Sequence, residues 1–330
     1  EKFENRNIQA KFNNAFYGAV FPWKRDIKAA LKPLQENINL ALGVGEIEYA
    51  SYSTLNYSWL SLAAGKSLES LNNELIDIIE LNQKLQQDFQ VITNQLCRQF
   101  VLNLFGSNSE VTQLSGEAFN EDEIIPRMIN SHNMHFMVYY YIPKTMICYL
   151  FKDYSAAYTI IQETAKHQDT GKGLHLWVQL NFYQSLTYLT FYNSAAKFQQ
   201  QEFLEKVEKN QITMKKWAEN APMNFQHKYD LVEAEKARYL EKPLIAMDFY
   251  DIAIAGAKQY GYIQEEALGN ELAAYFYLSR GQKKIAQVYL TEARYCYLKW
   301  GAKAKITALE REYSELLTQQ PKKYQIIFNF

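Results

Sequence analysis

The stretch that decides the fold is PLIAMDFYDIAIAGAKQYGYIQEEALGNELAAYFYLSRGQKKIAQVYLTEARYCYLKWG, Pro243 to Gly301. Shifted by 40 residues it nearly repeats itself: Ile245-Ala246 returns as Ile285-Ala286, Ala253 as Ala293, and Tyr260-Gly261 as Trp300-Gly301. Just upstream, Ala234 returns as Ala274. Inside each unit apolar residues recur at i, i+3, i+4 and i+7, and Gly261, Gly281 and Gly301 punctuate the runs. One unit is therefore two helices and a turn. Ala253, Ala274, Ala286 and Ala293 fall where paired helices must cross closely. The period predicts an all-α fold: a tetratricopeptide-like α-solenoid of stacked antiparallel helix pairs, its repeat stretched from about 34 residues to about 40.

Outward from this segment the helical period continues through most of the 330 residues. The longest polar interruption is FGSNSEVTQLSGEAFNEDEIIP, from Phe105 to Pro126, and it divides the expectation into N-terminal helical repeats at 1–115 and C-terminal repeats at 116–317. Residues 318–330 read as a tail around Pro321. In AKAKITALEREYSELL the apolar positions thin out, as a capping helix with one wet face requires. The carboxylates of QEEALGNE and LEREYSE, set beside lysines, likewise read as solvated faces.

Composition narrows the function. Lys+Arg 35 against Asp+Glu 36 leaves no basic field for a phosphate backbone, so nucleic acid is not an expected partner. No apolar run approaches the roughly 20 residues that span a bilayer, and EKFENRNIQA has no signal-peptide core, so no membrane insertion is expected. Cys97, Cys148 and Cys296 are odd in number, far apart and outside any CxxC, which fits a reducing cytoplasm. The chain begins on Glu1, which reads as a segment of something longer.

Motifs for chemistry are incomplete. Gly65-Lys66-Ser67 ends like a phosphate-binding loop, but Leu60 stands where its first glycine belongs; a glycine ending one helix and a serine capping the next explains the triplet. His132 and His135 are spaced to share a metal on a helix, yet no third ligand follows, and His167, His175 and His227 stand alone. No nucleophile elbow is present. The expectation is no cofactor, no metal and no catalysis.

The aromatic runs MVYYYIPKTMICYLF and LWVQLNFYQSLTYLTFY hold more rings than one buried stripe can absorb. Pro143 should open the first of them locally, since it withholds an N–H from the helix. In the tetratricopeptide register the inward face of the last units carries Arg238 and Tyr239, then Glu271 and Tyr275, with Tyr139 and Tyr183 added from the aromatic runs. That concave face is the expected binding surface, for a neighbouring domain of the same polypeptide or a protein or peptide partner, a small ligand being the other possibility.

Three segments together, Gly45–Leu71, Met146–Tyr158 and Glu235–Glu310, resemble the helical-repeat region of bacterial multi-sensor signalling kinases. The resemblance implies a scaffold between catalytic domains: a Ser/Thr kinase and a STAND-type ATPase before it, a GAF sensor and a histidine kinase after it. It implies a non-catalytic regulatory or sensor solenoid, or alternatively a passive spacer.

Overall fold

A computed structural model describes residues 5–107, 110–166 and 173–317; the expected tail at 318–330 and His167 lie outside them. Its α-helices run α1 (Arg6–Ala15), α2 (Lys28–Gly43), α3 (Ile47–Ala63), α4 (Leu68–Lys84), α5 (Asp88–Phe105), α6 (Glu121–Asn130), α7 (Met134–Leu150) and α8 (Tyr154–Ala165). They continue as α9 (Leu176–Phe191), α10 (Lys197–Asn220), α11 (Pro222–Tyr239), α12 (Pro243–Gln259), α13 (Ile263–Ser279), α14 (Lys283–Trp300), α15 (Lys303–Glu312) and α16 (Ser314–Leu317). Among the described residues there is no strand, only an isolated bridge between Ser115 and Asn120.

The helices stack in adjacent pairs, as an α-solenoid does. The 40-residue period is visible in the backbone: α12 and α14 begin at Pro243 and Lys283, and α13 and α15 at Ile263 and Lys303. Ala253, Ala274, Ala286 and Ala293 are all buried, where the expected crossings put them.

The two helices of a unit differ in kind. On α12 only Ala246, Tyr250, Ala253 and Ala257 are buried, a single stripe at i, i+4, i+7 and i+11. On α13 burial goes right round the helix and takes in Gln264, Glu265, Glu266, Asn270 and Glu271. The segment QEEALGNE is thus interior, against the expectation of a solvated face. Helices α3, α7, α9 and α11 are buried in the same all-round way; α9 packs on α7 and α11, and α3 joins this inner layer through α5 and the contact of Trp59 with Tyr139.

The inner layer closes because the beginning of the chain lies against its end. Asn224 of α11 donates to the carbonyls of Pro22 at 2.8 Å and Arg25 at 2.7 Å, while its own oxygen accepts from Ile27 N and the Tyr262 hydroxyl. Gln264 donates to the Ala63 carbonyl at 2.9 Å, Lys28 reaches the Tyr260 carbonyl, and α5 packs on α15. Gly301 ends α14 at φ 100°, a left-handed turn that favours glycine, and lies beside Leu68 of α4. One hydrophobic core runs from Leu55 to Leu309, across the polar segment between α5 and α6.

Asn224→Ala removes four hydrogen bonds at this seam and leaves buried partners unmatched, so it is expected to cost about 2–4 kcal/mol in a urea titration. A loss under about 0.5 kcal/mol would mean the seam contributes little.

Candidate functional site

Of the six residues expected on an open face, three are interior: Tyr139, Tyr183 and Glu271 are buried, and Arg238, Tyr239 and Tyr275 are partly covered.

Glu271 organises the first cluster. Its carboxylate accepts from Lys305 Nζ at 2.8 Å, from Tyr297 at 2.7 Å, and from the Tyr275 hydroxyl. Lys305 also donates to the Leu150 carbonyl at 2.7 Å, tying α15 to the end of α7. Burial alone would raise the Glu271 carboxyl, but Lys305 and the two phenols outweigh it and hold it below the usual carboxylate range. Lys305 comes from AKAKITALE, read from sequence as a wet face, and is only 2% exposed. A pit of about 490 Å³, bordered by Phe151, Lys152, Glu271, Lys305 and Glu312, opens beside this cluster. Two ion pairs lie within its wall, Lys305 with Glu271 and Lys152 with Glu312.

A second cluster lies on α11 and α12, where Glu235 accepts from the Tyr250 hydroxyl and from Arg238 at 3.2 Å. The guanidinium of Arg238 sits over the Tyr239 ring at 5.1 Å. Tyr183 packs edge-on against Tyr149 at 5.6 Å, and Tyr139 lies apart, against Trp59 and Phe89. Sequence reasoning missed the most deeply buried pair, Lys228 with Glu265, which joins α11 to α13. Burial lowers the Lys228 ammonium and raises the Glu265 carboxyl even though each faces the other. No local pattern marks it, because its partners are supplied by packing.

The remaining motifs resolve structurally. Lys66 is held by Glu74 at 2.6 Å and by the Tyr57 hydroxyl at 2.7 Å. Gly65 ends α3 with φ 76°, as its role as a breaker requires; Ser67 stands at the start of α4, but its side chain makes no capping bond. His132 occupies the turn before α7 with φ 54°, so it does not share a helix with His135, which stacks on Phe89. Among the described residues no three metal-ligating side chains cluster. All three cysteines are buried and free, and burial pushes the thiols of Cys148 and Cys296 up to about 12. Helix α7 runs on through Pro143, which has no N–H to give the Tyr139 carbonyl.

The outer layer presents apolar side chains to solvent. Leu244, Ile245 and Ile252 on α12 and Ile285, Val288 and Tyr295 on α14 are exposed. The two helices are linked by Tyr289, which donates to Asp251 at 2.7 Å. No helix among the described residues is long and apolar enough to cross a membrane.

No protein-family model matches the chain, and no solved structure matches it. Part of it is similar to hybrid signal transduction histidine kinase G of Dictyostelium discoideum, with 43% identity over 61 residues. The match covers 18% of this chain and 2% of that far longer protein.

Proposed function

We propose that the chain is a non-catalytic regulatory segment of a larger signalling kinase, a rigid helical body that docks on a neighbouring domain or protein through the outer faces of α12 and α14. The observation that carries this reading is the exposure of Leu244, Ile252, Val288 and Tyr295 on two linked outer helices. Exposed apolar side chains on neighbouring outer helices favour a partner helix or sheet over a phosphate or a metal. The similarity to a histidine kinase supports the signalling context. The engagement of Lys66 by Glu74 and Tyr57 speaks against nucleotide binding at Gly65-Lys66-Ser67. Three buried, unreactive thiols fit a cytoplasmic setting.

The test is the double substitution Leu244→Glu with Val288→Glu. The isolated chain should melt as before, since exposed changes of this kind stay within about 0.5 kcal/mol. In the parent kinase the autophosphorylation rate should change by about threefold or more. An unchanged rate would set docking aside in favour of a passive spacer, a role to which the extended main core also lends itself.

A further inference from the structure

Helix α9 packs on both α8 and α10, and those two neighbours meet where Tyr158 stands edge-on to Phe203 at 6.0 Å. Beyond that contact they part, and a cleft of about 540 Å³ opens between the end of α8 and the latter half of α10, with α9 as its floor. Small-molecule sites span roughly 300–1,000 Å³, so this space holds a fused pair of rings with a side group. Hydrogen bonds between α9 and α10 fix the shape of the floor. Asn181 donates to the Asn210 carbonyl at 3.2 Å, and the Asn210 amide donates to Gln184 Oε1 and Ser185 Oγ at 3.1 Å each. A floor held in this way costs little to organise when a ligand enters.

The apolar part of the lining is Trp177, Leu180 and Tyr188 from α9 and Trp217 from α10. Both tryptophans are only half-buried, and an indole in a concave wall offers a flat face to a ring. Two lysines from α10, Lys206 and Lys209, line the same cleft, and among the described residues no acid does. Lys206 is already matched by Glu202 at 2.6 Å, one turn back, and its ammonium sits 5.2 Å over the Tyr188 ring. Lys209 is exposed and has no ion-pair partner among the described residues. One positive charge is therefore left over beside flat apolar walls.

We infer that this cleft binds a flat aromatic carboxylate, its rings against Trp177 and Trp217 and its carboxylate at Lys209. A single leftover charge suits a carboxylate, whereas a phosphate monoester carries about −1.5 to −2 at neutral pH and would be only partly balanced. A neutral ring leaves the Lys209 ammonium unmatched, and a cation meets two like charges. An occupant touches α8, α9 and α10 together, so binding holds the three helices in one arrangement and raises stability. The site lies apart from the outer faces of α12 and α14, and it stands whether or not those faces dock.

Naphthoate, naphthamide and acetate separate the two requirements, since the amide keeps the rings without the charge and acetate keeps the charge without the rings. Calorimetric titration of the full chain at neutral pH and low salt should show saturable naphthoate binding, with a dissociation constant of about 1 mM or below. Naphthamide should bind about fivefold more weakly, the value of one charge-assisted contact near the surface, and acetate should give no saturable heat at the same concentrations. Lys209→Gln, an exposed change that leaves the melting temperature in place, should bring naphthoate down to the affinity of naphthamide. Trp177→Leu should weaken both naphthyl compounds alike; if it fails to fold, the ligand comparison and Lys209→Gln still decide. No saturable naphthoate binding, naphthamide binding as tightly as naphthoate, or an affinity unmoved by Lys209→Gln would overturn the site.

Discussion

Glu271→Ala is expected to destabilise the chain by about 3–5 kcal/mol, because it strands a buried cation and two phenols at once. Lys305 is 2% exposed and would lose its carboxylate partner, and Tyr275 and Tyr297 would lose their common acceptor. The pH dependence follows from the same geometry. The Glu271 carboxyl is held below its unfolded value, so its contribution is present above about pH 4.5 and is lost as the pH falls through the folded value. Glu271→Gln should therefore show a flatter loss of stability in acid than the unaltered chain, measured by urea titration from neutral pH to pH 3. A variant as stable as the parent would return Glu271 to the surface role expected from sequence. The contrast with Lys228 and Glu265 is instructive. There burial penalises both charged forms, so replacing the pair together by Met and Leu should be close to neutral even though either change alone is costly.

The second large effect is expected at Tyr183, which was read from sequence as part of a recognition face. Its ring is 4% exposed and packs against Tyr149 and Phe182 within the inner layer. Tyr183→Ala should therefore empty a core position and cost about 3–5 kcal/mol in chemical denaturation. A loss below about 1 kcal/mol would show that the layer around α9 is open enough to relax, or that the ring lies on a surface after all.

The repeat was legible because it is local. Ala253 and Ala293, Gly261 and Gly301 declare the unit by their spacing, and the helices begin where that spacing puts them. The outer helices were legible too, since one buried stripe gives a clear period, as on α12. The inner helices were not. A helix buried on every side by ion pairs and phenols has no wet face, and the glutamates of QEEALGNE look the same in sequence whether solvent or Lys228 and Lys305 neutralises them. Closure was hidden for a further reason. Asn224 meets Pro22, and Gln264 meets Ala63, across about 200 residues, and no short-range pattern encodes such a meeting. Tyr139, Tyr183 and Glu271, expected on a concave face, are buried for that reason. The exposure of Leu244 and Val288 became evident only once the stripe on each outer helix was fixed.

Native-state hydrogen exchange is the most direct test of the central claim, that the helix pairs close into a single filled body. In an open array each unit is held only by its neighbours, and its ends fray independently. In the closed body α3 and α13 share one core, bridged by the bond from Gln264 to the Ala63 carbonyl. The most protected amides of Ile47–Ala63 and Ile263–Ser279 should therefore exchange with the same free energy, equal to that of global unfolding. Exchange in α3 at a much lower free energy, with α13 still protected, would contradict closure.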